Sequence, residues 1–388
     1  MESSAQILST ILKHDKKQSS YKIALLRAIN DVVLNFPDLN KADHDVAVPL
    51  RMLAQYWVAY YWPFVAPEEP IFQGQRSRSN DDCKELRNDM CFRPQLTALR
   101  QQWEEVFSNS SRPSDGFFLI NELRIPRKAK TYPTSLHRAY QDTLKAIIEA
   151  LKQPIKHAGL GKETVFEQQK KLSELGDNIV KIPGTEQKEK CLVIQNELWD
   201  TFKKMSLWVE ALCIHEWCLF TERIQQENPN LADRGLIYTL LTDRPDNRIS
   251  LSWERNKIDI LLMQGKEFIC PWTEKRIKQG TQYDLDHLLP VSLYPINELW
   301  NLAPADPKFN SHKKRDRLPT IDKLQKARPH LIGTYNNYIN SEHLWSALQE
   351  DVSVRFANVS NGNYSILLAD AVIRLINIIA ESRNVQRF

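Results

Sequence analysis

Apolar residues recur at helical spacing through most of the first two-thirds of the chain. In YKIALLRAINDVVLNF, Leu25, Ile29, Val32, Val33 and Phe36 share one helical face. The aromatic-rich VPLRMLAQYWVAYYWPFV reads as a further helix, broken at Pro63. TSLHRAYQDTLKAIIEALKQP aligns Leu136, Tyr140, Leu144, Ile147, Ile148 and Leu151, and its helix is expected to stop at Pro154. Residues 186–227 hold neither Pro nor Gly and read as one long helix, whereas APEEPIFQGQRSRSNDDCK (66–84) mixes Pro, Gly, Ser and charge and reads as a loop. NPNLADRGLIYTLLTDRPDN closes the region with turn signals. The texture then changes. Residues 270–320 are short-stranded, polar and punctuated by proline, and residues 320–388 return to helix, ending in SILLADAVIRLINIIAESRN. The pattern predicts a mainly α protein with a small α+β module near its C-terminus. The expected division is 1–245, 246–325 and 326–388.

Composition adds little to this. The 388 residues are 42% hydrophobic and 26% charged, ordinary for a folded chain of two or three domains at roughly 150 residues each. A formal net charge of +4 neither requires nor excludes a nucleic-acid partner, because local patches matter more. MESSAQILSTILKHDKK lacks the basic lead, apolar core and small-residue site of a secretory leader. No uncharged apolar run approaches the roughly 18 residues of a membrane span. Six scattered cysteines at 83, 91, 191, 213, 218 and 270 fit reduced thiols in a cytoplasmic protein without a membrane partner. Cys213 and Cys218 flank His215 in CIHEWCLF, a grouping expected to serve core packing rather than metal binding.

One stretch carries chemistry. In CPWTEKRIKQGTQYDLDHLLPVSLYPINELWNLAPADPKFNSHKKRDRLP (270–319), Asp286-His287 is followed by Trp300-Asn301-Leu302, then by Asn310 nine residues after Asn301, then by Lys313 and Lys314 before Leu318-Pro319. YDLDHLL reads as a first strand broken by Pro290, and NLAPA as a second. DPKFNSHKK then opens a helix with Asp306 as its N-cap and Pro307 in its first position.

The order D-H-x-x-P-x-S, W-N-L, N-x-x-K, L-P resembles the HNH endonuclease family with its ββα-metal fold. The resemblance spans only the motif region, but several independent residue types recur in register. It implies His287 as general base, Asp286 and Asn310 as ligands of a hard divalent ion (Mg²⁺ or Mn²⁺), and Asn301 as a buttress that orients His287. Lys313 is implied as a phosphate contact at the reacting centre, with Lys314, Arg315 and Arg317 on the nucleic acid. The chemistry agrees: phosphodiester hydrolysis needs a base for water, a cation on the phosphate and help for the leaving oxygen. Simple strand alternation puts Asp286 and His287 on opposite faces, while the family arrangement implies that both address one phosphate. Asp284 is expected to be a surface carboxylate, and His312, about 200° around an α-helix from Asn310, is less suited than Asn310 as a ligand.

The chain departs from family members that hold a structural zinc between two C-x-x-C pairs. Here Thr273 stands where the second thiol of CPWT would be, and no cysteine follows Cys270. No structural zinc is expected; Cys270 reads as a small buried hydrophobe, with Trp272, Ile277 and Leu285 doing the stapling. Basic clusters at Arg76-Arg78 and at Arg124-Arg127-Lys128-Lys130 suit either a DNA backbone or ordinary loop charge. The helical bulk joined to an HNH core resembles bacterial restriction and phage-defence proteins, which implies DNA as substrate and a partner subunit of a defence system. Two rival readings are an RNase using the same module and a nucleic-acid-binding scaffold with a vestigial site.

Overall fold

The computed structural model describes residues 4–39, 44–68, 70–74, 89–108, 111–159, 164–176, 178–225, 232–243, 251–356, 359 and 362–388. Arg76, Arg78, Cys83 and much of the 66–84 loop lie outside the described residues. The chain forms two units: Met1–Leu123 with Lys128–Arg244, and Arg124–Arg127 with Pro245–Phe388. Helices dominate both, and each also holds small sheets. Among the described residues, no helix is long and apolar enough to cross a membrane.

In chain order the first unit carries α1 (Ser4–Lys13), α2 (Tyr21–Asn35), β1 (Asp45–Pro49), α3 (Leu50–Tyr61), α4 (Arg93–Phe107), α5 (Asp115–Arg124) and α6 (Pro126–Ala129). There follow α7 (Thr134–His157), β2 (Lys170–Lys171), β3 (Ile179–Lys181), β4 (Lys190–Ile194), α8 (Asn196–Gln225) and α9 (Arg234–Thr242). α5 and α6 straddle the boundary, because Arg124–Arg127 belongs to the other unit. The core is aromatic. Trp57, Tyr61, Trp62, Trp103, Trp199 and Trp217 are all buried, and edge-to-face pairs such as Trp62 with Trp103 add to the area they remove from water. Cys213 and Cys218 lie in this core while His215 is exposed, so the three do not converge; burial raises both thiol pKa values.

Three expectations for this unit change. Residues 190–194 form strand β4 rather than the start of a long helix. They pair antiparallel with β1 and complete a four-stranded sheet in the order β2-β4-β1-β3. The β-branched pair Val193-Ile194 suits that place, and α8 starts only at Asn196. Helix α7 runs through Pro154 to His157. The missing N–H forfeits one bond in the last turn, offset by burying Pro154 and Ile155. The turn-rich segment before 245 contains helix α9, capped by Asp233, whose carboxylate accepts from Leu236 N–H at 2.7 Å.

The second unit continues with α10 (Ser252–Met263), β5 (Phe268–Ile269), β6 (Arg276–Ile277), β7 (Asp284–His287) and β8 (Leu302–Ala305). It closes with α11 (Pro307–Phe309), a π turn (Asn310–Lys314), α12 (Ile321–Ile339), α13 (Glu342–Ser353) and α14 (Tyr364–Ser382). β7 and β8 pair antiparallel, with Asp286 opposite Ala303 and His287 opposite Leu302. Asp306 caps α11, accepting from Lys308 N–H at 2.9 Å, with Pro307 in the first position. One core joins the hairpin to the closing helices: Cys270, Ile277, Leu285, Leu288 and Leu302 pack in the same cluster as Leu331, Leu348, Leu368 and Leu375. Two buried α12 tyrosines fix the start of the second strand and the turn before it, Tyr335 Oη donating to Trp300 O at 2.7 Å and Tyr338 Oη to Leu302 O at 3.0 Å.

Candidate active site

β7 presents its side chains alternately, as a strand must. Asp284 and Asp286 face the turn after β8, and His287 faces the loop before it. Asn310 Nδ2 donates to Asp284 Oδ2 at 3.1 Å. Four residues on, Lys314 Nζ donates to Asp286 Oδ1 at 2.9 Å and to His287 O at 2.7 Å. The π turn makes this possible. Its wider i→i+5 closure, Arg315 N–H to Asn310 O at 3.0 Å, puts Lys314 where an ordinary turn would not, and Arg315 leaves the turn with φ +49°.

Asp286 is a buried carboxylate with both oxygens engaged, since Trp272 Nε1–H donates to Oδ2 at 3.0 Å. It is 4% exposed and Lys314 2%, so this is a desolvated ion pair rather than a surface one. Lys314, expected on the nucleic acid, instead spends its charge inside the fold. Lys313 and Arg315 remain exposed, and Arg317 is half-buried with its guanidinium on Lys313 O. His312 is exposed, with Nδ1 near Ser311 Oγ and Lys308 O.

His287 sits on the other face. Its Nε2 lies 2.8 Å from Asn297 Oδ1. An amide oxygen only accepts, so in this arrangement Nε2 carries the proton and Nδ1 is the basic nitrogen. Burial holds the imidazole below its ordinary pKa; the Asn297 bond and the charge of Asp286 oppose this, and Lys314 reinforces it. Asn301 is fully buried and clamps the residues after His287. Its side chain accepts from Leu289 N–H at 2.8 Å and donates to Leu289 O at 3.0 Å, while its backbone carbonyl accepts from Leu288 N–H at 2.8 Å.

The structure thus joins Asp284 to Asn310, Asp286 to Lys314 and His287 to Asn297. Among the described residues, no hydrogen bond joins Asp286 to Asn310. Nor does any group of three or more His, Cys, Asp or Glu side chains converge as a metal cluster. Asp284 and Asn310, which touch, and Asp286 two residues along β7 are oxygen donors of the kind that suits a hard divalent ion that keeps most of its water. Lys314 makes Asp286 the less available of the two carboxylates. Sequence reasoning did not anticipate Asn297 beside His287, Trp272 on Asp286 or the bond between Asp284 and Asn310. Asn297 stands in a polar loop without periodicity, Trp272 reads as core, and only Asp284, at i−2 from Asp286, carried a local signal. Cys270 is buried, its sulfur 3.3 Å from the Asp306 N–H.

The second basic cluster proves to be mostly internal. Arg124 pairs with Glu298 at 2.6 Å, Arg127 with Asp351 at 2.8 Å and Lys128 with Glu122 at 3.1 Å; Lys130 is exposed. Three of its four cations are therefore engaged by carboxylates rather than offered to a DNA backbone.

No curated protein and no solved structure matches the chain. A family model described as HNH endonuclease matches residues 270–320, the segment that holds β7, β8 and the π turn. Another, described as Domain of unknown function (DUF8808), matches residues 1–241. The chain belongs to the DUF8808 family and carries an HNH endonuclease module in its second unit.

Proposed function

We propose that the protein is a metal-dependent endonuclease that hydrolyses DNA phosphodiester bonds, with a place in bacterial anti-phage defence or restriction. The observation that carries the nuclease reading is the hold on His287: a lowered pKa and an acceptor on Nε2 leave Nδ1 neutral and basic near pH 7. His287 takes the proton of the attacking water. Asn301 acts as a positioning residue by fixing the backbone after His287. Asp286 and Asn310 would hold the divalent ion, Asp286 by exchanging a contact it makes with Lys314 or Trp272, and Asp284, already touching Asn310, would be a third oxygen donor. When bound, a hard ion such as Mg²⁺ or Mn²⁺ supplies charge neutralisation at the phosphate and stabilisation of the leaving oxygen. Lys313, with Arg315 and Arg317, contacts flanking phosphates, which orient a nucleic acid without reading its sequence.

What supports DNA over RNA is the family resemblance of the motif. Labelled DNA and RNA of one sequence, incubated together with the full-length protein and Mg²⁺ or Mn²⁺, test it. DNA should be cut and RNA spared. Preferential RNA cleavage would favour the RNase reading, and binding without cleavage of either would favour the scaffold. We further propose that residues 1–245 choose or gate the target, alone or with a partner subunit. The support is proportion: the HNH segment is short, and backbone contacts carry little sequence information.

Asn310→Ala should weaken Mg²⁺ binding and cleavage together, because a ligand oxygen is lost. His312→Ala should change neither appreciably. Calorimetric titration of the metal into both variants checks this. The reverse ranking would move the ligand to His312.

A further inference from the structure

Four residues are set apart from their sequence neighbours. Arg124–Arg127 belongs to the second unit, while residues up to Leu123 and from Lys128 belong to the first. Arg124 Nη2 donates to Glu298 Oε1 at 2.6 Å, and the other Glu298 oxygen accepts from Trp300 Nε1–H. Arg127 Nη2 donates to Asp351 Oδ2 at 2.8 Å, and its backbone N–H donates to Glu350 Oε2 at 2.8 Å. The same Asp351 oxygen accepts from Leu299 N–H at 2.8 Å. Glu298 is 1% exposed and Asp351 0%. Ile125, between the two arginines, is buried.

These contacts converge on one short loop. Asn297 holds His287, Glu298 takes Arg124, Leu299 hangs from Asp351, and Asn301 clamps Leu289. A carboxylate as deeply buried as Glu298 needs a paired cation, and losing the partner leaves it to find another donor or to move toward water. Either response shifts the residue bonded to Asn297.

We propose that Arg124–Arg127 is a strap that positions the general base: Arg124 and Arg127 fix the 297–301 loop through Glu298 and Asp351, and the loop fixes His287. Both arginines are positioning residues and touch no substrate. The strap lies inside the DUF8808 match and is covalently continuous on both sides with residues of the first unit. The inference rests on the nuclease reading.

The test uses full-length Arg124→Ala, Arg124→Lys and Arg328→Ala beside the wild type. Misplacing a catalytic group by about 1 Å costs on the order of 100-fold. Arg124→Ala should therefore lose about 10- to 100-fold in kcat with KM nearly unchanged, and Arg124→Lys should recover part of the loss. Arg328→Ala breaks the Arg328–Asp370 pair elsewhere in the same unit and should leave kcat alone. A wild-type kcat for Arg124→Ala, a change confined to KM, or an equal loss in Arg328→Ala would overturn the strap. Should Arg124→Ala not fold, Glu298→Gln removes the same charge pair while keeping an acceptor for Trp300, and the same outcomes decide. A readout independent of activity separates this from the nuclease reading. The ring resonance of ¹³C-labelled His287, assigned with His287→Ala, should shift in Arg124→Ala and not in Arg328→Ala. An unmoved resonance overturns the strap, whereas a wild-type protein that cuts no nucleic acid overturns the nuclease reading instead.

Discussion

His287→Ala should abolish most cleavage while leaving the fold and DNA affinity nearly intact. Loss of a general base typically costs about 10²–10⁴ in rate. The ring is part-buried rather than central to the core, so its removal opens little space. Asn297 Oδ1, which His287 contacts, lies in a half-buried place that water can serve. Asn297→Ala should lose less, because it frees the ring without removing it. The double variant should be no slower than His287→Ala, since the two residues act as one unit. Single-turnover cleavage rates of the three variants check this. An Asn297 effect that multiplies on top of His287→Ala would mean that Asn297 acts on the substrate directly.

The second large effect is on stability. Lys314→Met removes the cation from a pair whose side chains are 2% and 5% exposed. Breaking one side of such a pair costs about 3–5 kcal/mol, because the remaining charge is stranded. Asp286 would keep only the Trp272 N–H, and the His287 carbonyl would lose its donor. Hydrogen exchange of the β7 amides should accelerate by roughly 10²–10³-fold, at about 1.4 kcal/mol per tenfold. Pairing the change with Asp286→Asn should restore most of the protection, since the stranded charge is gone, without restoring cleavage if Asp286 is a ligand. Protection unchanged in Lys314→Met would mean that the pair is not formed in solution.

Much of this module could be read from local signals. The D-L-D-H and N-L-A-P-A runs became β7 and β8, and Asp306-Pro307 became a capped helix start, because alternation and capping act over a few residues. What failed depends on distant partners. β1 and β4 are five-residue strands that find each other across most of the helical unit, and nothing inside KCLVI reveals that pairing. Lys314 sits in a basic run that reads as a solvated face. Only the π turn, a departure from helical period, aims it at Asp286. The sequence left Arg124 and Arg127 open between a DNA backbone and loop charge for the same reason: a cation's partner is set by tertiary structure, and theirs are buried carboxylates more than a hundred positions away.

The most direct measurement is conversion of supercoiled plasmid by the full-length protein in Mg²⁺, beside His287→Ala purified in parallel and beside wild type in excess chelator. The account predicts nicked or linear product from the wild type, none with chelator, and a loss of about 10²–10⁴ in rate for the variant. Equal cleavage by wild type and His287→Ala, or cleavage that survives chelation, would contradict it.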